Sequence, residues 1–311
     1  MAERTSGNRT RLEGGATLVT LTSEQPGPTL ALLGGVHGDE DEGVLAVHRL
    51  VDVLEESPFA GAVRAVAPAN PLAWAAQSRT GPLDGENLAR VFPGRQHGTP
   101  TDELALSLTQ SVIQGADLLI DLHSAGVRYS MPLFCGFGAD NGTAERSRHA
   151  AETFGAPLVW MHPKTAPGRS LAAAAALGIP AIYAECGGGG EIRTTELEAY
   201  VQGVLAVMAD MGMTTRAAGG SPVRPRWVHG EGDLDDGAQS AHYGFFVTAT
   251  SAGTAVGSGE EIGRVFSYSG QLLEIVRAHS PGIVMFLRRR SRVQPEDVLY
   301  VLAHLGDGLD A

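Results

Sequence analysis

The stretch from Ala31 to Gly43 reads ALLGGVHGDEDEG and decides the expected fold. An apolar run over residues 29–33 ends in two glycines, and His37 and Glu40 follow three residues apart. A buried strand that stops at a glycine turn places the next side chains at the carboxyl edge of its sheet, where open α/β sheets carry their ligand sites. An imidazole and a carboxylate on such a turn can hold one cation from two directions, and this pair suits zinc.

The four-residue pattern alone leaves two interpretations open. Acidic side chains also favour the first turn of a helix because they interact well with its dipole. Asp39, Asp41 and Glu42 fit this simpler interpretation, in which they form a solvated helix start. A hydrolytic metal site would need a third ligand and a base from elsewhere in the chain.

Composition and charge exclude several classes of protein. The 311 residues are enough for two domains, and 43% hydrophobic with 19% charged residues can bury an ordinary core. The net charge of −12 argues against a nucleic-acid partner or an anionic membrane surface, since both require a basic face. The longest apolar run, Leu171 to Tyr183, is broken by Gly178 and Pro180, so no membrane span is expected.

Cysteine usage and the amino terminus indicate a cytoplasmic protein. Cys135 and Cys186 are the only cysteines and cannot form a disulfide framework, which favours a reducing compartment. Residues 1–15 contain no apolar core of a signal peptide. The sequence is compatible with a homo-oligomer.

Predicted strands and helices alternate through residues 1–213. Runs typical of strands occupy residues 16–22, 29–35, 61–67, 116–122, 132–137, 157–161 and 179–184, and helical patterns lie at 44–55, 102–114, 143–154, 171–177 and 195–211. Ser170 is predicted to cap the fourth of these helices. The alternation predicts an α/β catalytic domain with a mixed, mainly parallel sheet flanked by helices.

Two segments interrupt this alternation. Residues 77–97 are aperiodic and rich in Gly, Pro and charge, and a loop of this length in a compact domain is usually functional. Residues 214–226, TTRAAGGSPVRPR, are predicted to be a linker. The short β-like runs that follow predict a small all-β domain, sandwich- or barrel-like, over residues 227–311.

Three predicted strand ends carry the groups that a hydrolytic metal site needs. His37 and Glu40 follow the second strand, His123 follows a strand ending at residue 122, and Glu185 follows one ending at residue 184. Two histidines and one glutamate around an open position are typical of a catalytic zinc site, with a further carboxylate as general base. Asp121 lies on the same strand face as His123, either as a support for that histidine or as part of the sheet edge.

Five motifs in order resemble the succinylglutamate desuccinylase/aspartoacylase family of the zinc carboxypeptidase-like superfamily. They are His37-Gly38-Asp39-Glu40, Asn70-Pro71 with Arg79, the run DGENLARVFPG from Asp84 to Gly94, Asp121-Leu122-His123, and Glu185-Cys186-Gly187-Gly188. The resemblance extends over essentially the whole chain, including the β-rich C-terminal part. It implies a zinc carboxypeptidase-like fold and one Zn²⁺ per chain.

The resemblance also implies a catalytic role for individual residues. His37, Glu40 and His123 would bind zinc, Glu185 would be the general base, and Arg79 would polarise the scissile carbonyl. Water activated by the metal would attack the amide carbon, and Glu185 would pass its proton to the departing amine.

The substrate end departs from the family pattern. Arg90 matches the arginine that holds a substrate carboxylate, but Ala89 stands where the family has an asparagine. Either Asn87 or another group replaces that asparagine, or the substrate lacks the usual α-carboxylate arrangement. The glycines at 187–190 resemble the deacetylase branch that acts on N-acetylated diamino acids.

We therefore expect a zinc-dependent deacylase that removes an acetyl or succinyl group from an N-acylated amino acid or related small amine. A zinc carboxypeptidase on short peptides is one alternative, against which the extra β domain argues. The other is a catalytically silent metal-binding scaffold or regulatory protein, at which only Ala89 hints. Of the remaining histidines, His162 follows a strand end and is the one most expected to line the pocket.

Overall fold

The computed structural model describes residues 5–215, 224–230, 234 and 237–306. The helices are α1 (Asp41–Glu56), α2 (Pro71–Ala75), α3 (Pro100–Leu108), α4 (Ala144–Phe154), α5 (Ser170–Ala176) and α6 (Thr194–Asp210). The strands are β1 (Thr5–Arg11), β2 (Thr17–Ser23), β3 (Thr29–Gly34), β4 (Ala62–Val66), β5 (Leu118–Leu122), β6 (Tyr129–Ser130), β7 (Phe134–Gly138), β8 (Leu158–His162), β9 (Ala181–Glu185), β10 (Arg226–His229), β11 (Ala238–Gln239), β12 (Gly244–Thr248), β13 (Ala255–Val256), β14 (Glu261–Phe266), β15 (Leu272–Arg277), β16 (Gly282–Arg288), β17 (Arg292–Val293) and β18 (Val298–Leu305).

A large mixed sheet forms the centre of the fold. Its strands follow the order β1-β2-β4-β3-β5-β9-β7-β8-β10-β18-β16-β13. Strand β3 runs parallel to β4 and β5, β5 is parallel to β9, and β8 is parallel to β7 and β10. The predicted class is confirmed, because a mainly parallel sheet flanked by helices is joined to antiparallel C-terminal strands. The carboxyl ends of β3, β5 and β9 lie side by side at one edge of this sheet.

Strand β3 and helix α1 bring the first candidate ligands to that edge. Residues 30–33 of β3 are completely buried, and each buried leucine contributes roughly 1.5–3 kcal/mol. The apolar face of α1 consists of Val44, Val47, Leu50, Val51 and Leu54. A Cβ atom at Gly43 would lie only 2.3 Å from the carbonyl oxygen of Leu122, so glycine is required where α1 begins against the end of β5. This close approach brings Glu40 next to His123.

The long loop predicted over residues 77–97 is irregular but is fixed by hydrogen bonds and by one β-bridge. It contains a short 3-10 turn at Leu88–Arg90, which Asn87 caps. Asp84 accepts hydrogen bonds from the backbone nitrogen and the hydroxyl of Thr101 at 2.8 and 2.9 Å. Phe92 forms an isolated β-bridge with Gly168, where a Cβ atom would lie 2.1 Å from the Arg90 carbonyl oxygen. The two loops can therefore meet only with glycine at position 168.

The C-terminal strands belong to two sheets. β10 pairs with β8 on one side and with β18 on the other, so the central sheet continues into the C-terminal part. The second sheet has the order β15-β14-β12-β17, and an apolar cluster of its own lies between β12, β14, β16 and β18. We propose from this cluster that the described residues of the predicted range 227–311 form a small β domain. The predicted linker falls largely on residues 216–223, outside the described residues.

Two local expectations differ from the structure. Ser170 does not cap α5, because it is the first helical residue and its hydroxyl donates to Asp121 instead. Strand β1 was absent from the sequence prediction, since its residues TSGNRTR are mostly polar and it is stabilised by backbone pairing with β2. Within the described ranges, no helix has both the length and the apolar composition needed to cross a membrane.

Candidate active site

Three buried side chains converge at the carboxyl edge of the central sheet. His37 and Glu40 lie between β3 and α1, and His123 directly follows β5. Their candidate ligand atoms lie within 4.8 Å of one another. The Nδ1 atoms of His37 and His123 are 2.7 and 3.0 Å from the two carboxylate oxygens of Glu40. The structure therefore brings together the three residues that the sequence predicts as metal ligands.

The outer nitrogens of the two histidines are held by hydrogen-bond acceptors. His37 Nε2 donates to Asn87 Oδ1 at 3.0 Å, and His123 Nε2 lies 3.1 Å from Asp121 Oδ2. With the proton on Nε2, the neutral His37 imidazole points its Nδ1 lone pair at the Glu40 carboxylate, and His123 would do the same once its Nδ1 proton is lost. Lone pairs and a carboxylate repel one another unless a proton or a cation lies between them. The donor set and its orientation thus fit a divalent ion such as zinc.

Neighbouring charged groups and burial shift the pKa values of the three candidate ligands. Burial, together with the Arg79 guanidinium, lowers the pKa of His37 to about 4, so this imidazole is neutral at pH 7. Burial also lowers the pKa of His123, but Asp121 and Glu40 outweigh it and raise that pKa well above the usual value. The pKa of Glu40 is held well below its usual value by both histidines despite its burial. A metal ion would take the place of the proton on His123.

Glu185 ends β9 and lines the same cavity as the histidines. Its Oε2 atom is buried and has no hydrogen-bond partner in the described residues. Burial is the main cause that raises the pKa of this carboxyl well above its usual value. A carboxyl oxygen without a hydrogen-bond partner, on a side chain that lines a cavity, is free to exchange a proton with a bound molecule.

The two predicted arginines come from the long loop and also line the cavity. Arg79 Nη1 lies 3.0 Å from Glu40 Oε1, which places this guanidinium directly beside the three candidate ligands. Arg90 Nη1 lies 3.4 Å from the Ala89 carbonyl oxygen, which also accepts a hydrogen bond from Arg169 at 2.9 Å. Asn87 lies behind His37, and its amide oxygen accepts from His37 and from the Ala89 backbone.

The cavity contains further residues that the sequence did not identify. They are Tyr129, Met131, Lys164, Arg169, Ser170, Tyr183, Leu234 and Phe286. No local pattern marks them, because they come from loops and strands far apart in the chain. His162 lines the cavity as expected, and its Nε2 lies 2.7 Å from the Tyr183 hydroxyl.

The sequence also did not predict several hydrogen bonds that support the site from behind. The Tyr200 hydroxyl, from α6, donates to the carbonyl oxygen of His123 at 2.6 Å. The Ser124 backbone nitrogen donates to Glu40 Oε2 at 3.1 Å, and its hydroxyl donates to Glu42 at 2.7 Å. Cys186 is fully buried in the main apolar cluster, and burial raises the pKa of its thiol. It therefore packs in the core instead of acting as a nucleophile.

Comparison with known proteins identifies the family. The model of the succinylglutamate desuccinylase/aspartoacylase catalytic domain matches residues 26–211, which include every predicted site residue. The chain belongs to this family. The predicted enzyme class, a hydrolase of linear amide bonds, is confirmed by this membership.

Relatives of this family match nearly the whole chain. The chain is 30% identical over 298 residues to the N-alpha-acetyl-L-2,4-diaminobutyric acid deacetylase of Halomonas elongata, covering 94% of this chain and 86% of that protein. A succinylglutamate desuccinylase structure from Silicibacter sp. TM1040 superposes with a TM-score of 0.86 at 25% identity, covering 94% and 89% of the two chains. The product-bound ectoine utilization protein EutE from Ruegeria pomeroyi gives 0.84 at 27% identity, covering 93% and 88%.

Proposed function

We propose that this chain is a zinc-dependent deacylase of small N-acylated amino acids. One observation carries the proposal: two histidine Nδ1 atoms converge on the Glu40 carboxylate beside a cavity that both histidines and Glu185 line, and Glu185 Oε2 has no hydrogen-bond partner in the described residues. His37, Glu40 and His123 would hold one zinc ion per chain. When bound, zinc supplies Lewis acidity that lowers the pKa of bound water towards about 7.

The residues of the chain would move protons and stabilise charge around the amide. Glu185 would accept a proton from the attacking water and then deliver it to the departing amine. Arg79 would donate hydrogen bonds to the oxygen that becomes negatively charged as the carbonyl is attacked. The products would be a carboxylate and a free amine. Burial of Glu185 favours the shuttle, because a raised pKa brings this carboxyl closer to the working pH.

The substrate would be an N-acetyl or N-succinyl amino acid, or a related small amine. Arg90 lines the cavity and would bind a substrate carboxylate through charge-assisted hydrogen bonds. The Halomonas elongata relative is named for an N-alpha-acetylated diamino acid, which supports an acetylated substrate here. A cytoplasmic location is supported by two free, buried thiols, Cys135 and Cys186.

A substrate panel tests this proposal. Zinc-loaded protein is assayed against N-acetyl and N-succinyl amino acids, N-acetyl amines and short peptides. We expect release of the free amine from at least one N-acyl compound, loss of this activity after chelation, and recovery with zinc. Release of C-terminal amino acids from peptides would support the carboxypeptidase alternative instead. Tight zinc binding without hydrolysis of any compound would support the scaffold alternative and overturn the proposal.

A further inference from the structure

A strongly basic groove lies on the C-terminal part of the molecule, apart from the catalytic cavity. Its lining includes four exposed arginines and two exposed tyrosines, and we call this set the arginine groove: Arg128, Arg289, Arg290, Arg292, Tyr243 and Tyr268. Three of the arginines come from the short run RRRSR after β16. The lining of the catalytic cavity includes none of these six residues.

A buried arginine fixes the backbone of this groove. Arg288 is only 7% exposed, and its guanidinium donates to the carbonyl oxygens of Arg290 and Arg292 at 3.2 and 3.1 Å. It also forms an ion pair with Asp297 at 2.9 Å. The backbone nitrogen of Arg289 donates to the Arg128 carbonyl oxygen at 2.9 Å. The exposed arginines therefore project from a pre-formed loop and not from a flexible segment.

The arginines of the groove have no acidic partner among the described residues. Across the described ranges, Arg128, Arg289, Arg290 and Arg292 have no carboxylate within ion-pair distance, although Arg264 and Arg193 elsewhere do. This is unusual for a chain with a net charge of −12, in which acidic partners are abundant. Like charges held together raise the free energy of the site unless an anion binds between them.

The tyrosines add flat aromatic surfaces beside the arginines. Tyr243 is 64% exposed and Tyr268 is 59% exposed. The Tyr268 ring packs edge-on against Phe245 with 5.1 Å between centroids, so its position is supported from one side. Exposed aromatic faces can stack on the planar ring of a ligand.

The groove also borders the loops of the candidate active site. A Cβ atom at Gly189 would lie 2.6 Å from Arg289 Nη1, so this guanidinium contacts the glycine run that follows Glu185. Arg128 lies in the loop that follows His123. A ligand bound in the groove would therefore lie next to the segments that follow Glu185 and His123.

We propose that the arginine groove binds a small anion with adjacent phosphate groups. Guanidinium groups match phosphate oxygens in pairs, and four of them around one concave surface suit a di- or triphosphate. Tyr243 and Tyr268 would stack on a planar ring attached to the phosphates, as in a nucleoside triphosphate. The net charge of −12 disfavours a long nucleic acid, whose phosphates would extend beyond this patch.

Calorimetric titration of the full zinc-loaded chain tests this inference with two probes, adenosine triphosphate and inorganic tripolyphosphate. We expect both to bind, with affinity that falls as salt rises. The double variant Arg290→Gln/Arg292→Gln should weaken both by at least about tenfold. The matched control Arg264→Gln/Arg277→Gln removes the same charge from the neighbouring strands β14 and β15 and should change affinity by less than about twofold.

Further measurements test the stacking role of the tyrosines and the alternative occupants of the groove. Tyr243→Ala/Tyr268→Ala should weaken adenosine triphosphate more than tripolyphosphate, and equal weakening would overturn the stacking role. No binding of either probe, or equal losses in groove and control variants, overturns the site. Light scattering that shows a dimer dissociated by Arg290→Gln/Arg292→Gln would assign the groove to a second copy and also overturn it. Deacylase activity of the variants is read separately, so failure here does not affect the proposed function.

Discussion

Two parts of the candidate cavity are built in different ways. In the part with the candidate metal ligands, which we call the metal end, His37, Glu40 and His123 are buried and each has fixed polar partners within 3.1 Å. The rest of the lining, which we call the substrate end, includes the exposed Lys164 and also Phe286 from strand β16, far along the chain. Pre-organised groups fix a reaction, whereas adaptable groups around the rest of a substrate fix its identity. The candidate metal ligands therefore determine the reaction, and the rest of the lining determines the substrate.

The backbone explains this difference. The metal end is assembled at the adjacent carboxyl ends of β3, β5 and β9, whose register is fixed by paired backbone hydrogen bonds. The rest of the lining comes partly from the loop that meets Phe92 at Gly168 and partly from β16, which pairs with β6. Loops tolerate substitution better than a buried sheet edge. Related chains can thus share the reaction and differ in substrate.

The largest expected effect at the metal end comes from Glu185→Gln. The amide keeps the size of the side chain but cannot accept a proton from water, so kcat should fall by about 10²- to 10⁴-fold. Zinc content should stay at the wild-type level, because Glu185 lies outside the group of candidate ligands. Metal analysis and steady-state kinetics on one preparation check both points. A variant that loses zinc along with activity would make Glu185 a ligand or a structural residue instead of the base.

A smaller effect is expected from the groups behind the two histidines. Asp121→Ala removes the carboxylate that holds His123 Nε2, and zinc affinity should fall by about 10- to 100-fold. Asn87→Ala removes the neutral partner of His37 and should cost less, because a neutral hydrogen bond is weaker than a charged one. Competition with a chelator measures both affinities. Equal losses in the two variants would contradict the distinction between the charged and the neutral support.

At the substrate end, Arg90→Gln should separate binding from chemistry. A charge-assisted hydrogen bond contributes about 1.5–3 kcal/mol, so kcat/KM for an N-acyl amino acid should fall by about 10- to 100-fold. An N-acyl amine without a carboxylate is the matched control and should be hydrolysed at an unchanged rate. If both substrates lose activity equally, Arg90 supports the fold of the loop and does not bind the carboxylate.

The same difference determines how much the sequence could predict. His37, His123 and Glu185 each lie at the end of an apolar run, so local patterns located three strand ends that a parallel sheet brings together. Arg169 and Phe286 have no such signal, because their place in the cavity depends on contacts between distant segments.

Two errors have local physical causes. The sequence predicts Ser170 as the N-cap, because a serine just before a helical pattern is typical of a cap. In the structure Ser170 is the first helical residue, and its hydroxyl donates to Asp121. Strand β1 has few apolar residues, and backbone pairing with β2 stabilises it without a period-two pattern. Both features depend on partners that are distant in the sequence.

The smallest expected effect tests the departure at Ala89, which lines the substrate end of the cavity and is 6% exposed. Ala89→Asn adds an amide donor, and one hydrogen bond to a carboxylate at the low end of its range, about 1.5 kcal/mol, should raise kcat/KM for N-acyl α-amino acids over N-acyl amines by about tenfold. Leucine has nearly the same shape as asparagine but no amide donor, so Ala89→Leu serves as the control. A shift in ranking with asparagine alone would show that position 89 selects the α-carboxylate. An unchanged ranking in both variants would mean that this side chain does not face the substrate, and selectivity would then rest on Arg90 and the residues beyond it.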